Sequence, residues 1–172
     1  MYVLVTGPPA AGKTFLAVPL ARTLGLPVLG KDVIKEAMHD ALPSAGSRDV
    51  WSRHLSEAAY GVLLALLEGI PSAVLDLNLP MELAPRFESL RRPIVQIFCR
   101  CPQHELESRL LERATLRHPV HQDDTVLDDV RSQGVRGTEP APLGAPLLEV
   151  DTSVPVDVDE VAAWVHRVRP NA

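Results

Sequence analysis

The sequence predicts an α/β fold: a three-layer αβα sandwich with a five-stranded parallel sheet. Three observations carry this. Short apolar runs alternate with helical patterns in βαβαβ order along the chain. Several of these runs are almost continuously apolar, as strands covered on both faces are. The first run passes straight into a glycine-bounded turn and then a helical pattern.

Taken in order, strands are expected at Tyr2–Thr6, Pro27–Leu29, Ala73–Leu77, Ile94–Cys99 and Leu147–Val150, each ending in turn signals. Helices are expected at Lys13–Leu24, Asp32–Asp40, Asp49–Glu68, Leu83–Leu90 and Pro102–Arg117. The last, Val158–Val168, is apolar at Val161, Trp164, Val165 and Val168. Residues 118–146 resist the pattern, being rich in proline, glycine and aspartate. A short helix at Asp124–Gln133 is expected there, and the rest reads as a long functional loop. No repeat or composition break interrupts the order. One domain over 1–172 is expected, with the lid over about 109–140.

Composition narrows the partners. The 172 residues carry a net charge of -5, which argues against a broad nucleic-acid surface built on excess Lys and Arg. Aromatics make up 4%, too few for an obvious base-stacking platform. Cys99 and Cys101 form a C-x-C that is no zinc site by itself, and reduced thiols are expected. Few cysteines, no signal-peptide pattern and no apolar run near the roughly 20 residues of a spanning helix suit a cytoplasmic protein without a membrane partner.

The stretch GPPAAGKT, Gly7 to Thr14, matches G-x-x-x-x-G-K-[ST] in full, between a strand and a helix. Gly7 and Gly12 let the backbone curl, so that N–H groups of the loop Gly7, Pro8, Pro9, Ala10, Ala11 and Gly12 face one centre. Pro8 and Pro9 stiffen the loop and donate no N–H. The following helix turns its positive end to the same point. Lys13 brings a cation to the β- and γ-phosphates, and Thr14 offers a hydroxyl to Mg²⁺. The motif predicts a P-loop NTPase that binds ATP or GTP with Mg²⁺.

Further along, Gly30-Lys31-Asp32-Val33-Ile34-Lys35 follows the second strand. Strand ends on that edge face the ligand crevice. Asp32 there can take the proton of an attacking hydroxyl, and Lys35, one turn on, can balance charge on the acceptor or the phosphate. Asp32 as a helix cap, with Glu36 in the first turn, explains the same residues, and the two roles are compatible. Asp76 ends an apolar strand, as a Walker-B acid does. It could hold Mg²⁺ or touch the acceptor, or simply terminate the strand in a turn. Asn78 follows as a candidate hydrogen-bonding group for the acceptor.

The layout G-x-x-x-x-G-K-T, a strand, then Gly-Lys-Asp-x-x-Lys resembles small AAA-type P-loop kinases that phosphorylate hydroxyl groups. Chloramphenicol phosphotransferase, zeta-toxin-like kinases and the kinase domain of polynucleotide kinase share it. The resemblance implies a nucleotide-kinase-like fold and assigns Asp32 as general base. From their positions in the sequence, Asp32, Lys35, Asp76, Asn78 and Arg117 are the residues expected at the acceptor. The segment Pro102 to Arg117 is similar to the helix that leads into the lid of adenylate kinase. That implies Arg109 on the base and Arg113 on the phosphates, which suits a planar, forked cation. Arg117, on the same expected face, would reach the substrate. Glu105–Arg109 pairing on a solvated face is the plainer account of this spacing. Leu148 to Val156 resembles the last strand and base-holding loop of the same group, which brings in Thr152 and Pro155.

His118-Pro119-Val120-His121 with Asp123 and Asp124 could suggest zinc. Pro119 breaks the i,i+3 geometry that two helical ligands need, which favours polar lid residues or a solvated loop. The acceptor pocket is expected from Lys35, residues 76–81, the lid, and Trp51, Arg53, His54 and Glu57 on the long helix.

Together these features predict a kinase acting on a small hydroxyl-bearing molecule, with Asp32, Lys13 and Arg113 as the catalytic set. The resemblance to chloramphenicol phosphotransferase extends the expectation to antibiotic resistance, with nucleoside antibiotics of the capuramycin type as one acceptor. Two alternatives stand beside it: a polynucleotide 5′-hydroxyl kinase, and a nucleotide-dependent switch without transferase activity.

Overall fold

In β1 (Tyr2–Thr6) every residue is buried. Its side chains alternate between two cores, as the period of a strand requires. Val3 and Val5 point to one core, with Leu16 and Leu20, Leu106 and Leu110, and Val161 and Val165. Tyr2 and Leu4 point to the other, with Leu63, Leu67 and Phe87. The Tyr2 hydroxyl reaches the Leu67 and Ile70 carbonyls at 2.5 and 2.8 Å, which satisfies its one polar atom.

The computed structural model describes residues 1–90, 92–121, 126–128, 130–131 and 137–168. β2 (Val28–Gly30), β3 (Ala73–Asp76), β4 (Ile94–Arg100) and β5 (Leu147–Asp151) join β1 in one parallel sheet of order β2-β3-β1-β4-β5. The predicted α/β sandwich with a five-stranded parallel sheet is the observed one. α1 (Lys13–Leu24), α5 (Gln103–Arg113) and α6 (Val158–Val168) cover the first core. α3 (Arg48–Gly69) and α4 (Ala84–Glu88) cover the second, and α2 (Lys31–Ala41) packs on α3. No helix among the described residues is long and apolar enough to cross a membrane.

The differences from expectation have local causes. β2 begins at Val28, since Pro27 has no N–H for the ladder, although its carbonyl accepts from Val74 N at 2.9 Å. The expected helix Leu83–Leu90 is a 3₁₀ turn, Met81–Leu83, followed by α4, with Pro85 in the first turn. The expected helix Pro102–Arg117 ends at Arg113, and a further 3₁₀ turn covers Pro119–His121. Pro119 disfavours helical geometry at His118, so the chain turns before it. Arg117 lies beyond that end, yet its N–H donates to the Arg113 carbonyl at 2.9 Å and it lines the same cavity as Arg109 and Arg113. Of the expected helix Asp124–Gln133, residues 126–128 and 130–131 are helical, and the remainder lies outside the described residues.

The loop after β1 rests on one close approach. Gly7 has φ +144°, and a Cβ built on it would stand 2.5 Å from the Cys99 carbonyl oxygen of β4. Both the conformation and the space exclude a side chain. Gly12, with φ +76°, caps α1, and Ala10 accepts a left-handed φ of 62° between them. Gly7→Ala should lower stability by about 3 kcal/mol, combining backbone strain and overpacking. Denaturant unfolding checks this, and a loss under 1 kcal/mol would mean the loop yields.

Candidate active site

Five segments end at one cavity of about 770 Å³: the loop after β1, the start of α2, the end of β3, the helix α5 and the segment after β5. Because the sheet is parallel, all its carboxyl ends open on the same edge, where the helix α1 also begins.

Of the predicted loop residues, Pro9, Ala10, Gly12, Lys13 and Thr14 line the cavity. Gly7 and Ala11 stand behind them as buried backbone, and Pro8 lies with Arg100 and Cys101 at a neighbouring hollow. Lys13 Nζ fills the turn, donating to the Gly7 and Pro8 carbonyls at 3.0 and 2.7 Å. Burial lowers its pKa to about 8, against the opposing pull of Asp76. Thr14 Oγ1 donates to Asp76 Oδ2 at 2.6 Å. Val5 and Asp76 are register partners in the β1–β3 ladder, which sets that contact. Burial raises the Asp76 pKa, and Thr14 and Lys13 oppose the rise.

Asp32 is not the cap of α2. Gly30 holds that position without a side-chain bond, and Asp32 lies in the first turn. Its Oδ1 pairs with Lys31 Nζ at 2.6 Å and its Oδ2 accepts from Arg117 Nη2 at 2.5 Å. Burial would raise the carboxyl pKa, but Lys31, His121 and Arg117 hold it well below the usual carboxylate range. Lys35 is buried and donates to Ser52 Oγ at 2.8 Å. Burial first, then Lys31, lower its pKa to about 8. Asn78 lines the cavity, and its backbone carbonyl accepts from the Tyr60 hydroxyl.

Arg109, Arg113 and Arg117 all reach the cavity wall. Arg109 Nη2 donates to the Thr152 carbonyl at 2.8 Å and its Nε sits 3.9 Å from Glu105, so the predicted helix pair exists beside a tertiary one. Thr152 Oγ1 reaches the Ala11 and Arg100 carbonyls, each at 2.8 Å, tying the segment after β5 to the loop after β1. Pro155 lines the same wall.

Some expectations are corrected. Trp51, Arg53, His54 and Glu57 do not line the cavity. α3 turns Ser52, Leu55, Ala59, Leu63 and Leu67 inward, which leaves Arg53, His54 and Glu57 in solvent. His118 and His121 take different partners, and His121 also lines the cavity. His118 Nε2 lies 3.0 Å from Asp40, which His39 also approaches, and His121 Nε2 lies 2.5 Å from Glu36. Asp123 and Asp124 lie outside the described residues. The sequence reading also missed Lys31, Ser52 and the His121–Glu36 pair. Lys31 stood beside Asp32 in the sequence and could have been named. The other contacts span 17 and 85 residues and left no local signal.

The fold and the loop define a class, a P-loop NTPase of the kinase-like form. Residues 3–134 match the AAA domain family, and the chain belongs to that family. A “putative kinase” from Chloroflexus aurantiacus J-10-fl is 36% identical over 97% of each chain, with a TM-score of 0.83. A gluconokinase from Sinorhizobium meliloti 1021 is 17% identical over 94% of this chain and 87% of its own, with a TM-score of 0.56. A shikimate kinase from Bacteroides thetaiotaomicron is 16% identical over 97% of each chain, also with a TM-score of 0.56. The last two share the fold. No curated protein matches the sequence.

The Lys13 ammonium gives a pH dependence. Burial lowers its pKa to about 8, so the charge is lost as pH rises through that value in the ligand-free protein. Bound phosphates favour the charged form. Nucleotide affinity should therefore be full below about pH 8 and fall above it, by about tenfold per pH unit at the steepest. Calorimetric titration from pH 6.5 to 9.5 measures this. The slope should vanish in Lys13→Gln.

Proposed function

We propose that the protein is an ATP- or GTP-dependent kinase that transfers the γ-phosphoryl group to a hydroxyl of a small molecule. The observation carrying this reading is the meeting of Asp32 with Lys13 and Asp76 at one cavity. Asp32 lies close enough for its charge to act on both. A site for nucleotide binding alone has no need of a carboxylate opposite the phosphate loop.

The roles follow from the atoms present. The loop Gly7–Thr14 and the start of α1 bind the phosphates, and Lys13 and Arg113 hold the transferring group. Arg109 and the Thr152–Pro155 segment bracket the base, with α5 pinned by the Arg109–Thr152 contact. Thr14 and Asp76 form an all-oxygen pair that fits Mg²⁺, a hard cation. When bound, that ion supplies charge neutralisation on the phosphate oxygens.

Asp32 orients the acceptor hydroxyl and takes its proton as the new O–P bond forms and the β–γ bridge breaks, releasing the nucleoside diphosphate. Held well below the usual range, this carboxylate is a weak base. A loose transition state tolerates that, because the hydroxyl becomes acidic only as the bond forms. The segment 109–140 acts as a lid. It already touches the acceptor side through Arg117 on Asp32 and His121 on Glu36, and its closure would exclude water. An antibiotic acceptor, nucleoside antibiotics included, fits the same reaction and belongs in the test.

The experiment is transfer of label from γ-labelled ATP and GTP to a panel of sugars, hydroxy acids, nucleosides and antibiotics. Asp32→Asn should lower kcat by about 100- to 10,000-fold while nucleotide affinity holds. Turnover unchanged in that variant removes Asp32 as base. Nucleotide binding with no transfer favours a switch. Salt-sensitive transfer to a 5′-hydroxyl oligonucleotide favours the polynucleotide reading.

A further inference from the structure

Lys35 is the unusual group of the acceptor side. It is 4% exposed, yet it lines the cavity. Its Nζ donates to Ser52 Oγ at 2.8 Å, and Ser52 Oγ donates onward to the Val120 carbonyl at 2.8 Å. An ammonium has three N–H donors, and this chain of bonds uses one. No carboxylate of the described residues lies within ion-pair distance of it. The two acids nearest along α2 are committed elsewhere, Asp32 to Lys31 and Arg117, Glu36 to His121.

A buried ammonium without a paired anion is unfavourable, and a fold that keeps one at a cavity wall has use for a ligand that supplies the anion. The donor phosphates are not the natural partner. They have Lys13, Arg113 and the start of α1. The charges acting most strongly on Lys35 are Lys31, Asp32, Arg117 and Glu36, the groups of the acceptor side. With its pKa near 8, the amine is mostly charged at neutral pH. A neutral polyol would leave that charge uncompensated, whereas an anion would neutralise it.

We propose that the acceptor is a hydroxylated anion, a carboxylate or a phosphate ester, whose charged group is held by Lys35 while its hydroxyl meets Asp32. This rests on the kinase reading above. Lys35 and Asp32 lie three residues apart on α2, so they share one face and can grip two ends of a small molecule. Ser52 positions the amine from α3, and Val120 joins that contact to the lid segment. The anionic group is unchanged in the reaction.

Matched pairs test the proposal: shikimate against its methyl ester, gluconate against glucitol, and a hexose phosphate against the free hexose. The first two pairs probe a carboxylate and the third a phosphate. At least one anion should be phosphorylated with kcat/KM about 100-fold above its neutral partner. Lys35→Met should abolish that preference through KM, leaving nucleotide affinity in place as the folding control, and Lys35→Arg should restore part of it. Ser52→Ala retains the charge but loosens its aim, so a smaller rise in KM is expected. It keeps the test open should Lys35→Met fail to fold. Neutral partners phosphorylated as well as the anions, or a preference that survives Lys35→Met, overturn the anion site and leave the kinase reading standing. Calorimetry with a non-hydrolysable nucleotide present separates the two further. Lys35-dependent anion binding without any transfer upholds the site and sinks the kinase reading. Absence of binding by every anionic member overturns the site.

Discussion

β1 lies between β3 and β4, all three parallel, and the cavity depends on that pairing. On one side the register sets Val5 against Asp76 and so brings the Asp76 carboxylate to the Thr14 hydroxyl. On the other, the backbone of Gly7 comes so close to β4 that no side chain fits. The phosphate loop is thus clamped by its neighbours before any ligand arrives. Main-chain donors fixed in this way need little reorganisation when an anion binds. The apolar side chains of β1, divided between two cores, supply the rigidity behind it.

The charges around the cavity fall into two groups with different physics. On the donor side, Lys13 sits among carbonyl oxygens that a phosphate can replace. Burial lowers its pKa without quenching it at neutral pH. On the acceptor side, Asp32 holds both of its oxygens in ion pairs, and the cations win over desolvation. Its partners come from α2 itself and from the segment beyond the end of α5. The same segment reaches Lys35 through Val120 and Ser52. Asp32 and Lys35 are thereby both tied to residues 117–121 through hydrogen bonds.

Much of this was legible along the chain. The ends of all five strands and of α1, α2, α3 and α6 agree with the sequence to within a residue, because buried parallel strands are nearly all apolar and their helices are amphipathic. The loop Gly7–Thr14, Asp32, Asp76 and the arginines of α5 could be named because each occupies a set distance from a strand end or a helix start. Prediction failed where partners are remote. Nothing near Ser52 marks it as the contact of Lys35, and nothing near His121 marks Glu36. The long helix misled because polar Arg53, His54 and Glu57 look chemically useful, yet the helix turns its serine and leucines inward.

The sequence by itself determined the architecture and the donor half of the site. Both follow from local rules: hydrophobic periodicity, glycine at a left-handed turn, and a lysine and threonine at the start of a helix. Only the tertiary structure decided the acceptor half. There, Asp32 exchanged the role of a cap for two ion pairs, Arg117 became one of its partners, and Lys35 became a buried charge. Those outcomes depend on which residues meet across tens of positions, and the balance between desolvation and charge pairing exists only once they do.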